Sequence, residues 1–540
     1  MKKILLYTGA LALLLSSCEK SFIEEENRSN ATAEEFYLTA EGYESLVNAN
    51  YGLLRDIYGP EPWLFCAGTD LYAEGRDQEP PGLSQYTQLN SASEGVDHLY
   101  NTCYESIQKA NMAIHYSTLT EQTSVLDERV GEIKYLRANA FFLLVQTYGG
   151  VSLVTEYFSA PQLSFGRNSA EEVYDFIVEE LKDAIDRLPD ANFNGRVTKR
   201  AAQHLLAKVY LAKGYEDFGS TQDFTDAASY ADMAIAGEGL SLGFEELWTP
   251  GNELNSEVLF SVQFSSGSVS AAPTELGHMQ TAYFGPYMGG SEVAGDAPYR
   301  TFTLCPTQFA IGLYDQGDER WDATFMVEVF ERYYDYFDVD DHSSLNVAHY
   351  YAPKWASSTV DTMAYRVSNP NAEIKVFGDY SASTGGQNND YGCIAVKKFD
   401  DPNAPFDGGR VSTRDIILSR LGETYLVAAE AYLQSGNPGM ALTRLNEVRD
   451  RANATPAVAG DMNIDYILDE RGRELMGEYH RWFDLKRTGK LVERAAAHHY
   501  LIEEANFSGA NGELKILRPI PQSAIDLNRN TDFQQNPAYQ

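Results

Sequence analysis

The sequence predicts a mainly α-helical scaffold of repeated helix pairs, interrupted by one large, irregular, loop-rich insertion. Three observations predict it: amphipathic segments near both ends, a ten-residue pattern that occurs twice, and a stretch of about 240–410 with little sustained periodicity. The segments 42–58, 100–116, 127–148 and 170–188 carry apolar residues at helical spacing. In the last of them Val173, Phe176, Ile177, Leu181, Ala184, Ile185 and Leu188 share one face, and Pro189 ends the helix.

The repeated pattern is LLAKVYLAKG at 205–214 and VAAEAYLQSG at 427–436, which share Ala-x-x-Tyr-Leu-x-x-Gly. Each is followed by a second amphipathic segment, 227–236 and 440–451. Small alanines let two helices approach, the tyrosine packs in the crossing and the glycine permits the turn, so the pair reads as tetratricopeptide-like. Between the copies, HMQTAYFGPYMGG, RWDATF, ERYYDYFDVDD and YYAPKW are rich in aromatics, which argues for ordered loops rather than a spacer.

At 540 residues, with 44% apolar residues, the chain has ample length for a core. The boundaries read as a signal peptide at 1–17, a lipidated tether at 18–35, an N-terminal helical half at 36–240 and a C-terminal half at 241–540 that includes the insertion. MKKILLYTGALALLLSSC has two lysines, an apolar run too short for a membrane span, and small residues before Cys18. Leu15-Ser-Ser-Cys18 resembles the bacterial lipobox, which makes Cys18 the expected lipidation site. The acidic run after it, EKSFIEEE, is similar to the signal that sends Bacteroidetes lipoproteins to the outer face of the outer membrane.

The formal charge of -36 opposes nucleic acid and anionic lipid as surface partners. Cys66, Cys103, Cys305 and Cys393 lie far apart with no C-x-x-C pair, which disfavours zinc and leaves isolated thiols or a long-range disulfide. No cofactor is expected. Asp335, Asp338, Asp340 and Asp341 have the ligand type for calcium, but lack the glycine and distal glutamate of an EF-hand, so a solvated acidic loop is expected.

ERGRELMGEYHRWFDLKRTGKL, at 470–491, poses the sharpest question about chemistry. Leu475, Met476, Tyr479, Trp482 and Phe483 fall on one stripe if the segment is a continuous helix. Glu470 with Arg473, Glu478 with Arg481, and Asp484 with Arg487 are at i,i+3, and His480 with Asp484 at i,i+4. A His-Asp dyad there lacks an indicated nucleophile, so a scaffold clamp is the expected role. No G-x-S-x-G, H-E-x-x-H or P-loop is present, and the chain is not expected to be an enzyme, a glycoside hydrolase included.

These residues carry a resemblance. Glu470-Arg-x-Arg-Glu-Leu475 with HRWFDLKR, the tail RPIPQSAIDLN, the ending QQNPAY and the segment EIKYLRANAFFLLVQTYGGVSLVTE are similar to the SusD/RagB family. The resemblance implies a surface lipoprotein with a tetratricopeptide-like core, lipid-anchored in the outer membrane and facing the cell exterior. It further implies an oligosaccharide ligand, passed without chemistry to a SusC-like TonB-dependent transporter. The RagB branch implies peptide cargo instead, and a pure protein-docking scaffold would bind no small ligand.

A sugar ring asks for an aromatic platform flanked by planar hydrogen-bonding groups. The stretch PWLFCAGTDLYAEGRDQ offers Trp63, Tyr72, Asp70, Arg76 and Gln78; the insertion offers Tyr283, Tyr287, Trp321, Tyr333, Tyr334 and Trp355.

Overall fold

A computed structural model describes residues 33–76, 79–265, 277–286, 304–386, 391–403 and 411–540. The leader and Cys18 lie outside them. Helices of seven residues or more among the described residues are α1 (Ala40–Tyr58), α2 (His98–Ser117), α3 (Leu126–Tyr148), α4 (Ala170–Arg187), α5 (Lys199–Gly214), α6 (Thr221–Ile235), α7 (Thr359–Ser368), α8 (Leu421–Gln434), α9 (Pro438–Arg451), α10 (Ile464–Glu474), α11 (Arg481–Arg487) and α12 (Leu491–His498). Several of them start at side-chain caps: the Thr39 hydroxyl accepts from Gly42 N at 3.0 Å, and Ser169 with Glu172 forms a capping box on α4. From Tyr135 onward every residue of α3 is buried, which accounts for the unbroken apolar run AFFLLV inside a chain of amphipathic helices.

The helices pack in order, α1 on α2, α2 on α3, and so on to α5 on α6; α6 then packs on α8 and α8 on α9. The helical stack therefore runs straight across the insertion, from a helix ending at Ile235 to one beginning at Leu421. The repeated pattern occupies α5 and α8, the first helices of neighbouring pairs. Gly214 makes the turn possible because a Cβ there would lie 2.7 Å from the Phe224 ring.

The strands are short. β1 (Tyr72–Glu74) pairs antiparallel with β3 (Leu304–Pro306), and β2 (Val258–Val262) pairs antiparallel with β7 (Ile416–Arg420). The second ladder closes the base of the insertion where the chain leaves and rejoins the helical stack. Within the insertion, β4 (Glu328–Val329), β5 (His349–Tyr351) and β6 (Glu373–Lys375) form a sheet in that order. β5 and β6 are parallel and α7 supplies the crossover between them, as parallel pairing requires. This module has a small core of its own, Phe330, Val347 and Ala372, while one larger cluster runs from Tyr43 to Phe533 through both halves of the chain.

The expectation of one continuous helix across 475–483 is corrected. α10 ends at Glu474, a turn follows, and α11 begins at Arg481. Gly477 sits in that turn at φ +76°, where a Cβ would also lie 2.5 Å from Phe399. The apolar residues remain in the core, Met476 and Trp482 among them. Two of the expected pairs form, Glu470 with Arg473 at 2.7 Å and Asp484 with Arg487 at 2.6 Å. Glu478 and Arg481 do not pair, because the turn parts them: Glu478 takes Arg420 and Lys398, and Arg481 goes to Asp70.

The segment is a buried ion lattice. Arg320 reaches Asp318, Glu470 and Glu474, while Arg420 bridges Glu474 and Glu478, at distances of 2.6 to 3.1 Å. Burial pushes the Glu470 carboxyl up, but Arg320, Arg473 and Arg449 override it and hold it at about 2. His480 Nδ1 lies 3.4 Å from Glu423 and from Lys208 Nζ, whereas Asp484 is taken by Arg471 and Arg487. The imagined His-Asp dyad is therefore two separate structural pairs.

Candidate functional site

Most of the aromatic residues that the sequence offered as platforms are core residues in this fold. Trp63, Tyr72, Tyr283, Trp321, Tyr333 and Tyr334 are all buried, with no ring face presented to solvent. The physical reason is their neighbourhood: Tyr72 packs on Phe284, Trp321 lies between Tyr314 and Phe325, and the Tyr333 hydroxyl donates to Asp400 at 2.7 Å. Asp70 is fully buried and gripped by Arg481 and Arg494, which hold its carboxyl at about 2 against the upward push of burial. Trp355 is half-buried, edge-on to Trp321. Arg76 is exposed. Gln78 and Tyr287 lie outside the described residues.

The β1–β3 ladder is where these distant segments meet. β1 carries the chain to Arg76, and β3 follows the insertion's first half. Glu74 is buried beneath the rim, its carboxylate accepting from Gln85 Nε2 at 3.1 Å and lying 3.0 Å from His499 Nε2. Burial raises the Glu74 carboxyl, but His499, with hydrogen bonds from Ser84 and Gln85, more than offsets this and lowers it. Tyr500 stands beside it, 39% exposed, its hydroxyl donating to the Glu74 carbonyl at 2.7 Å. A Phe309–His498 stack with centroids 3.9 Å apart lies half-buried at the start of the helix turn after β3. On the insertion side, His349 stacks on Tyr391 at 4.6 Å, and both rings are half-buried. Tyr391 has φ +62°, a strained conformation for an aromatic residue, held by the Tyr351 hydroxyl donating to its carbonyl at 2.6 Å.

Tyr500 stands beside β1 and the exposed Arg76 follows β1 by two residues; partly exposed rings and a guanidinium are groups suited to the apolar faces and hydroxyls of a sugar. The sequence reading missed Tyr500, Phe309, His498, His349 and Tyr391. Tyr500 and His498 lie at the end of α12, more than 400 positions from β1, with no local pattern to mark them.

A second feature is a groove of about 740 Å³ between α2, the segment 152–165 and the C-terminal tail. Tyr104, Phe158 and Phe165 line it, and Leu163 and Leu527 stand exposed on its edge. Its outer wall is tied to α2 through Asn111 Nδ2, which donates to the Val154 carbonyl at 2.9 Å. The tail holds the same wall through Arg529 N, which donates to the Leu163 carbonyl at 2.7 Å. Among the described residues no group of three or more His, Cys, Asp or Glu could hold a metal ion, and no helix is long and apolar enough to cross a membrane. Asp335 is paired with Arg332, and Asp341 accepts from Ser343 N.

Comparison with known proteins bears on this architecture. A sequence profile described as the SusD family matches residues 256–539, from the base of the insertion to the C-terminus. The chain belongs to the SusD family. A second SusD-family profile, described as starch-binding associating with outer membrane, matches 80–211. A SusD-like protein of Bacteroides ovatus is 25% identical over 511 residues, covering 90% of this chain and 82% of that protein. The starch-binding protein SusD of Bacteroides thetaiotaomicron is 25% identical over 497 residues, covering 87% and 83%. Among solved structures, a laminarin-binding SusD-like protein superposes with a TM-score of 0.69 at 22% identity, covering 93% of this chain and all of that one. The SusD-family signature in 470–487 is thus the buried lattice, and its charged residues are spent on holding the fold.

Proposed function

We infer that this protein is a cell-surface lipoprotein that captures an oligosaccharide without chemistry and delivers it to a SusC-like TonB-dependent transporter in the outer membrane. The single observation that carries this reading is the SusD-family match over 256–539, joined to relatives whose names describe starch and laminarin binding. The leader ending in LSSC supports export and a lipid anchor on Cys18. The formal charge of -36 favours neutral over anionic glycans.

In this reading the ligand seat lies beside the β1–β3 ladder, where the exposed Tyr500 ring stands against β1 and the exposed Arg76 follows two residues after it. The groove beside α2 belongs to the side where the tether enters. Tyr37, just before α1, packs on Tyr116 at 5.2 Å; Tyr116 packs on Tyr157 at 6.2 Å, and Phe158 of the groove follows in sequence.

Calorimetry on the soluble domain beginning after Cys18, titrated with neutral and anionic oligosaccharides and a mixed peptide pool, tests the reading. Heat with a neutral glycan that Tyr500→Ala diminishes and Tyr104→Ala leaves intact is expected. Heat with peptides alone would move the cargo to the peptide-binding branch, and a glycan signal lost only with Tyr104→Ala would move the seat to the groove.

A further inference from the structure

Four cysteines other than Cys18 are distributed along the sequence, and in this structure all four are buried free thiols. Two of them meet. Cys305 lies in β3, opposite Ala73 of β1, and Cys393 lies two residues after Tyr391. Together with Ala73 and Ala382 they form a separate buried cluster, and both cysteines are 0% exposed. The two cysteines are thus neighbours in one buried cluster of four small side chains. The Cys305 thiol also approaches the Gly285 carbonyl at 3.6 Å, and the Cys393 thiol the Ile394 carbonyl at 3.6 Å. Gly386 packs against the Cys305 sulfur, where a Cβ would lie 3.0 Å away.

The position of the pair is informative. Residues 305 to 393 embrace β4, β5, α7 and β6, the module with its own core of Phe330, Val347 and Ala372. One cysteine stands at the start of this module and the other at its end, so a bond between them closes its neck.

We propose that Cys305 and Cys393 form a disulfide in the exported protein, tying off the insertion module beneath the β1–β3 rim. The proposal rests on the export inferred above, because thiols in contact are oxidised in an extracytoplasmic compartment and stay reduced in the cytosol. The oxidant is a disulfide-carrying thiol oxidoreductase of the envelope, for which oxidised glutathione stands in. One cysteine, as its thiolate, attacks the oxidant disulfide and releases one thiol. The second cysteine then attacks the mixed disulfide and releases the other, so the protein loses two protons and two electrons and the oxidant gains them.

The reaction belongs to the folding chain. Once folded, both sulfurs are out of reach of solvent, and burial pushes the Cys393 thiol up, so that the attacking thiolate is disfavoured. A crosslink closing so long a loop acts mainly by restricting the unfolded chain, in the entropic account of disulfide stabilisation. It also holds Tyr391, two residues from Cys393, in register with the β1 end of the rim.

The test takes the full-length lipoprotein isolated in detergent from membranes. It is alkylated in denaturant without reductant, digested and mapped by mass spectrometry. The expected result is one crosslinked peptide pair joining Cys305 to Cys393, two hydrogens lighter than the free peptides, with Cys66 and Cys103 alkylated. In parallel the same protein is reduced, unfolded and refolded with oxidised and reduced glutathione. Free thiols at 305 and 393 in both samples would overturn the proposal through its geometry. Free thiols in the isolated protein with a crosslink after refolding would overturn it through the premise of export. As a second readout, reductant present during unfolding should lower the melting temperature of the wild type by several degrees and leave Cys305→Ser/Cys393→Ser unmoved; an equal response in both also overturns it.

Discussion

Arg481 grips Asp70 across 411 positions of sequence through two parallel hydrogen bonds, Nε to Oδ1 at 2.7 Å and Nη2 to Oδ2 at 2.6 Å. Both groups are buried, and Arg494 closes on the same carboxylate at 2.9 Å. The contact fastens the N-terminal stretch that leads to the rim onto the first turn of α11. Asp70→Ala leaves the buried Arg481 guanidinium without its carboxylate and Arg494 with only Asp465 and Asp469, and should cost about 3–5 kcal/mol in denaturant unfolding. A variant with wild-type stability and abolished ligand heat would instead make Asp70 a ligand contact.

The lattice around Glu474 should respond the same way. Arg320 and Arg420 lie within 3.1 Å of this carboxylate, and Arg451 also pairs with it. Glu474→Gln is expected to lose about 3–5 kcal/mol, because the remaining cations stay buried and undercompensated. The exposed Lys182–Glu179 pair on α4 is the control, and Lys182→Ala should be indistinguishable from wild type by the same measurement.

Gly477→Ala tests the turn that breaks the signature helix. The substitution adds a Cβ at φ +76° and 2.5 Å from the Phe399 ring. Left-handed strain and overpacking together should cost about 2–4 kcal/mol. An unchanged unfolding midpoint would mean that 475–480 is helical in solution.

Acid should destabilise the fold in two stages. Burial lowers His278 and His480 to about 4, outweighing the Arg414 carbonyl and Glu423 that pull the other way. Between pH 6.5 and 4 the unfolded chain binds protons at these positions and the folded chain does not, so stability falls as pH drops through that window. The loss approaches about 3 kcal/mol per histidine at pH 4. Asp70 and Glu470, both at about 2 in the fold, add a loss as pH falls from their unfolded values toward 2. Unfolding free energy measured from pH 7 to 4.5 should fall steadily, and His278→Gln should flatten the slope; a level profile would contradict the buried neutral histidines.

Tyr500→Ala should weaken glycan binding about tenfold, a loss of about 1.4 kcal/mol, by removing an exposed ring from the rim. Its hydroxyl contact to the Glu74 carbonyl is only partly buried, so the melting temperature should move little. A large thermal shift with unchanged affinity would make Tyr500 a structural residue.

The helices were legible because their information is local. Ser169 with Glu172, the apolar face of 173–188 and the paired Ala-x-x-Tyr-Leu-x-x-Gly patterns each lie within a few turns, and the structure has helices in all these places. The ligand seat was much less legible. Trp63, Trp321 and Tyr333 have the composition of a platform, but a large ring is equally at home in a core, and burial decides between the two.

The sequence by itself determined the helical class, the interrupted repeat and the family signature, because short-range periodicity and spacing carry them. Only the tertiary structure decided that Glu478 takes Arg420 rather than Arg481, that Asp70 is a clamp, and that Cys305 and Cys393 share one buried cluster. It also brought Tyr500 to β1. These are partnerships between residues far apart in the chain, and which of many acids meets which base is set by where packing brings them out of water.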